Sequence, residues 1–175
     1  ATETMNQKNI NMSLDQAINS ACDILKETKS IKLKTRGYLA VAWECPYEGK
    51  VNKKIILDIA EKLLNAGADE IILADTIGAA NPASVRSLIK DCMSEFDPKI
   101  LSVHFHDTRA MALANVYAAL TEGIRKFDSC IGGLGGCPFA GQPKAAGNIC
   151  TEELVLLCEE LGIETGVNLD ALIEV

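Results

Sequence analysis

Ile100-Leu101-Ser102-Val103-His104-Phe105-His106-Asp107 contains the only two histidines of the chain and reads as a β-strand. Apolar Ile100, Leu101 and Val103 lead up to the pair, and Asp107 and Thr108 mark where the strand should end. Along a strand, residues i and i+2 share a face, so His104 and His106 project side by side and Phe105 turns to the other side. Two neutral imidazoles so placed can bind one divalent metal. The plainer alternative is a pair of hydrogen-bonded histidines near a barrel mouth.

Outward from this segment, strands and helices alternate. Ser13 and Gln16 form a capping box ahead of the stripe Leu14, Ala17, Ile18, Ala21, Cys22 and Leu25, predicting a helix over roughly 13–28. Tyr38–Trp43 is a short, nearly continuous apolar run, as in a strand covered on both faces. Asn52 opens a helix carrying Ile55, Ile56, Ile59, Ala60, Leu63 and Leu64, and Gly67 ends it. Glu70–Asp75 is the next strand. Asn81 and Pro82 supply the N-cap and first residue of a helix with Val85, Leu88, Ile89, Cys92 and Phe96, closed by Pro98. Beyond the histidine strand come a helix from Ala110 to Glu122 and a fourth strand, Lys126–Ile131. Thr151 caps a last helix bearing Leu154, Val155, Leu157, Cys158 and Leu161.

The strands start about 25 to 33 residues apart, the length of one βα unit, so the fold class is α/β with a parallel sheet. An open doubly wound sheet competes with part of a closed eight-stranded barrel. A full (βα)8 barrel takes about 250 residues, and this chain of 175 has half the strands. Cys45, Asp75, His106 and the loop 132–137 all follow the C-terminal ends of successive strands. Chemistry drawn from every strand to one rim is the barrel arrangement; a doubly wound sheet concentrates it at one switch point.

Composition excludes several classes. A net charge of −7 and 5% aromatic residues argue against nucleic acid or an anionic membrane as partner. No apolar run approaches the ~18 to 20 residues of a membrane span, and no signal-peptide pattern opens the chain. Seven cysteines, an odd number without a CxxC, suit a reducing compartment better than a disulfide framework. The expected location is intracellular: cytoplasmic, or the mitochondrial matrix in a eukaryote.

Gly132-Gly133-Leu134-Gly135-Gly136-Cys137-Pro138 is the second informative segment. Four glycines in five residues let the backbone approach a ligand closely. The loop lacks the Lys-Ser/Thr of a P-loop and does not fit a dinucleotide fingerprint, and a mobile turn is the bland reading. Cys137 at its tip is badly placed for packing and well placed for a lid that brings a thiol to substrate. Asn148, after Gly147, offers a hard amide oxygen, although locally it also suits a turn before the helix. Asp75 ends its strand where a carboxylate can orient a metal water, act as a base, or accept hydrogen bonds from loop amides.

Cys45-Pro-Tyr-Glu-Gly-Lys50, Asp75-Thr-Ile-Gly78, His104-Phe-His-Asp107, Gly133-Leu-Gly-Gly-Cys-Pro138 and Gly147-Asn148 resemble, in order and spacing, the 3-hydroxy-3-methylglutaryl-CoA lyases. Lys8-Asn-Ile-Asn11 and Gly162–Leu169 extend the resemblance over nearly the whole chain. The glycine loop ending in Cys-Pro is its most specific piece. The His-x-His strand is shared with 2-isopropylmalate and homocitrate synthases, so an acyl-CoA-dependent condensing synthase is the alternative enzyme. The resemblance implies a TIM barrel of which residues 1–175 form a single partial domain, strands five to eight, the C-terminal half of a pyruvate carboxyltransferase-like catalytic domain. It implies cleavage of 3-hydroxy-3-methylglutaryl-CoA to acetyl-CoA and acetoacetate, a divalent cation (Mg or Mn, with Zn a further option) on His104, His106 and Asn148, catalytic roles for Cys137 and Asp75, an acyl-CoA substrate, and a homo-oligomer.

Family members begin with a strand carrying an Arg-Asp pair, the aspartate on the metal and the arginine on the substrate carbonyl; this sequence has no counterpart. A fragment needing the N-terminal half of the barrel as partner is therefore expected. If the chain were natively this short, a noncatalytic half-barrel binding module would be the competing reading. Strands Tyr38–Trp43 and Lys126–Ile131 should form the two sheet edges, Ala1-Thr-Glu should be the tail of a further strand, and the inner sheet face should be an apolar patch of branched side chains.

Overall fold

A computed structural model describes residues 1–139 and 146–174. Its centre is a parallel sheet of β1 (Arg36–Leu39), β4 (Glu70–Asp75), β5 (Leu101–Phe105) and β6 (Phe127–Asp128), in that order. A small antiparallel pair, β2 (Glu44–Cys45) and β3 (Gly49–Lys50), lies in the first crossover. The helices are α1 (Glu3–Ile10), α2 (Leu14–Ser30), α3 (Lys53–Ala66), α4 (Pro82–Glu95), α5 (Ala112–Thr121), α6 (Thr151–Glu160) and α7 (Leu169–Ile173). No described helix is long and apolar enough to cross a membrane.

Local chemistry sets the helix ends. Ser13 Oγ accepts from the Gln16 amide while the Gln16 side chain accepts from the Ser13 amide, closing the capping box. Asn52 and Asn81 accept from the first-turn amides of α3 and α4, with Pro82 at the first position of α4. Gly67, at φ 116°, ends α3 in a conformation that penalises any side chain. Two expected ends move. Cys150, not Thr151, is the N-cap of α6, because the Thr151 hydroxyl donates to Ser129 instead. α5 starts at Ala112 rather than Ala110, which sits at φ 54°, and Asp107 accepts from the Ala112 amide.

In-register parallel pairing gives the sheet two faces of different character. Leu39, Ile71, Leu73, Leu101, Val103 and Phe105 turn to one side and form a single core with Ile56, Leu63, Val85, Leu88, Ile89 and Val116 of α3, α4 and α5. Each such side chain contributes about 1.5–3 kcal/mol on full burial. The other face carries Arg36 beside Glu70, Tyr38 beside Ile72, Ile72 beside Ser102, and His104 beside Ala74 and Asp128. Helices on one face only are the arrangement of a barrel wall. The expected apolar inner face is corrected: apart from Ile72 and Ala74 it is polar. Arg36 bridges Glu70 (2.6 Å) and Asp128 (2.9 Å), Lys126 pairs with Glu70, Ser102 donates to Glu70, and Tyr38 donates to Asp128. Burial pushes Glu70 up, but the bonds from Lys126, Arg36 and Ser102 outweigh it and hold its carboxyl below the usual range.

β1 and β6 are the sheet edges, as expected, but both are shorter than the sequence reading. β1 is Arg36–Leu39, not Tyr38–Trp43, because Val41 turns at φ 52°. The apolar residues after it are buried by loop packing: Val41 and Cys45 cluster with Met5, and Trp43 packs at a tilt against Phe105. β6 is Phe127–Asp128, not Lys126–Ile131; Cys130 keeps one bridge to Cys150, and Ile131 opens a short 3-10 turn. At the other end Thr2 is extended, and Glu3 already starts α1.

Candidate metal centre

β5 delivers His104, and the residue after its last, Phe105, delivers His106 to the same face. The Nε2 atoms of the two rings stand 3.1 Å apart, with ring centroids at 5.1 Å. Two nitrogens each about 2.1 Å from one ion, at a right angle, would stand about 3 Å apart. Burial, and secondarily the neighbouring His104, pulls His106 down to about 4, so its ring is neutral with a lone pair to give.

Residues 147–149 run back antiparallel beside the end of β5. The Asp107 amide donates to Gly147 O (2.9 Å) and the Ile149 amide to Phe105 O (3.1 Å), which makes His106 and Asn148 a directly opposed pair. Those bonds flank the pair without joining it, the arrangement in which opposed side chains come closest. Asn148 Nδ2 donates to Leu134 O at 2.9 Å, which fixes the amide orientation. Its Oδ1 is then left buried with no hydrogen-bond partner. A buried carbonyl oxygen without a donor is uncommon, and a cation satisfies it. The donor set of two imidazoles and an amide oxygen fits a divalent cation. Among the described residues, no three His, Cys, Asp or Glu side chains gather as a metal site.

The glycine loop is built against Asn148. Asn148 N donates to Gly135 O at 3.1 Å, and a Cβ on Gly135 would lie 2.7 Å from Asn148 Nδ2. A Cβ on Gly147 would meet Gly135 O at 2.4 Å. At the loop's start the Glu152 carboxylate accepts from the Gly132 amide with both oxygens. The described part of the loop is thus tethered at two points. Cys137, two residues after Gly135, is half-buried with a free thiol.

Asp75 is not brought to the histidines. In the β4–β5 register Ala74 pairs with His104 and Asp75 with Phe105, so the carboxylate is on the opposite face. Its two oxygens accept from the Ala79 (2.9 Å) and Ala80 (3.0 Å) amides. Of the roles open to it from sequence, the geometry takes up the acceptor of loop amides. Burial pushes its carboxyl up to about 6 despite those two bonds. Sequence reasoning missed Arg36, Tyr38, Glu70 and Asp128. For Arg36 and Tyr38 the signal was present as two-residue alternation around Gly37; Glu70 at a strand start and Asp128 in a two-residue strand carry no such mark.

A family model described as HMGL-like matches residues 1–175. The hydroxymethylglutaryl-CoA lyase of Pseudomonas mevalonii is 40% identical over 175 residues, which is 100% of this chain and 58% of that protein. The crystal structure of the Bacillus subtilis HMG-CoA lyase superposes with a TM-score of 0.95 at 40% identity, covering 99% of this chain and 57% of that one. An HMG-CoA lyase from Acinetobacter baumannii, solved in complex with coenzyme A and 3-methylmalate, gives 0.92 at 43% identity over 99% of this chain and 56% of its own. The chain spans about half the length of the curated relatives it matches. With the histidine strand, the glycine loop and the one-sided sheet all inside the matched span, the chain belongs to the HMGL-like family.

Proposed function

We propose that this chain supplies strands five to eight of a TIM barrel that cleaves 3-hydroxy-3-methylglutaryl-CoA to acetyl-CoA and acetoacetate with the help of a divalent cation. The observation that carries the reading is the opposed pair His106 and Asn148, with His104 Nε2 3.1 Å from His106 Nε2 and Asn148 Oδ1 buried and unpartnered. His104, His106 and Asn148 would hold the cation, with further ligands from the rest of the barrel, from substrate or from water. When bound, it supplies Lewis-acid polarisation of the substrate's oxygens, so that the tertiary hydroxyl loses its proton more readily.

The remaining steps fall to protein groups. As the hydroxyl proton leaves to water or to a base from the rest of the barrel, the hydroxyl-bearing carbon becomes the ketone of acetoacetate, and the carbon–carbon bond breaks with its electron pair passing to the thioester enolate. Cys137 would give that enolate carbon its proton; the loop that carries it is bonded to Asn148 through Gly135. Asp75, turned away from the histidines, would shape the 75–80 loop through the amides of Ala79 and Ala80. The coenzyme A bound by the Acinetobacter relative supports an acyl-CoA substrate, and a homo-oligomer is the expected assembly. The full-length polypeptide, assayed with 3-hydroxy-3-methylglutaryl-CoA and Mg2+ or Mn2+, should release acetoacetate. Condensation of an acyl-CoA with a keto acid, in place of cleavage, would overturn the reading in favour of a synthase.

A further inference from the structure

We propose that Asp128 is the positioning residue of the metal centre: its carboxylate, held by Arg36 and Tyr38, faces His104 Nδ1 and fixes which ring nitrogen offers its lone pair. This rests on the metal-site reading of His104 and His106.

His104 and Asp128 are paired residues of β5 and β6, side by side on the inner face. Asp128 Oδ2 lies 3.5 Å from His104 Nδ1, and no other polar group pairs with that nitrogen among the described residues. At 3.5 Å the contact is longer than a formed hydrogen bond. A carboxylate only accepts, so the favoured neutral ring carries its proton on Nδ1 and leaves the Nε2 lone pair aimed at His106 Nε2. Donation of that lone pair to a cation makes the Nδ1 proton more positive and draws it closer to Asp128.

The carboxylate is itself fixed. Arg36 Nη2 donates to Oδ1 at 2.9 Å and the Tyr38 hydroxyl donates to Oδ2. Arg36 in turn is held by Glu70, and Glu70 by Lys126 and Ser102. A chain of charged groups thus crosses the inner face from β6 to β1 and β4 and ends on His104. His106 has no equivalent: its Nδ1 is buried without a partner among the described residues. The two rings are therefore unequal, and His104 is the pre-oriented one.

The test uses the full-length polypeptide with 15N-labelled histidine. In the metal-free wild type, His104 should be the Nδ1-protonated tautomer; an Nε2-protonated ring would overturn the proposal without any variant. In Asp128→Asn the tautomers should mix and calorimetric Mn2+ affinity should fall by about 10–100-fold, while Asp128→Glu should restore part of it. Wild-type affinity and an unchanged tautomer in D128N, with Mn2+ binding lost in His106→Ala, would overturn the role of Asp128 and leave the metal site standing. Undiminished Mn2+ binding in H106A would overturn the metal site and the proposal together.

Discussion

His106 and Asn148 oppose each other across a two-bond antiparallel bridge, although they are 42 positions apart in the chain with the whole of α5 and β6 between them. The pairing does more than bring two donors together. It makes the glycine loop part of the same unit, because Asn148 also bonds Gly135 and Leu134. Removal of either side chain should therefore act on the metal without unfolding the sheet. His104→Ala and His106→Ala should each lower metal affinity by at least the 10–100-fold that loss of an outer-shell partner costs. Metal analysis after dialysis checks this, and full stoichiometry in both variants would rule the site out.

Cys137→Ser separates chemistry from binding. A serine hydroxyl at that position is a far weaker proton donor, so kcat should fall by about 10²–10⁴, the usual worth of a positioned acid or base. Metal content should stay at the wild-type level, since Cys137 is not among the donors. Turnover equal to the wild type would remove the thiol from the reaction.

Gly135→Ala tests the loop's contact with Asn148. Gly135 sits at φ +87° and a Cβ there would lie 2.7 Å from Asn148 Nδ2. The left-handed backbone alone costs an ordinary residue about 1–2 kcal/mol, and the clash must push the Asn148 amide. Weaker metal binding together with slower turnover is expected, with circular dichroism unchanged. Gly132→Ala is the control, because its φ is also positive but nothing lies within 4 Å of the added carbon. Equal metal affinity in the two variants would show that backbone strain, not the contact with Asn148, is what matters.

The parts of this site legible in the sequence were those carried by local rules. Strand periodicity put His104 and His106 on one face, and the caps at Ser13, Asn52 and Asn81 are short-range hydrogen bonds that any reading of the chain finds. What was not legible depends on distant partners. Tyr38 read as the start of an apolar strand, yet its hydroxyl bonds Asp128, 90 residues away. The run that follows it is apolar for loop packing, and only the positive φ of Val41 shows that the strand has stopped. Asp75 stood correctly at a strand end, but the ladder register, not the sequence, decides which face receives its carboxylate.

Asp75→Asn carries a pH prediction whose sign can be worked out. Burial raises the folded carboxyl from 3.8 to about 6, so the folded protein holds this proton more tightly than the unfolded chain. The resulting stability is fully present below pH 4 and is lost as pH rises through about 6. The shift amounts to on the order of 3 kcal/mol. Asparagine does not titrate, but it has one acceptor oxygen for the two amides of Ala79 and Ala80. Leaving one buried amide unpaired costs about 1–3 kcal/mol at every pH. The variant should therefore be the less stable protein at pH 4, and the gap should close or reverse by pH 7. Urea unfolding of the metal-free proteins at pH 4, 5, 6 and 7 measures the difference, in which other titrating groups cancel. A difference that is constant across that range would show that Asp75 does not titrate there, and that its charge is fully offset by the loop amides.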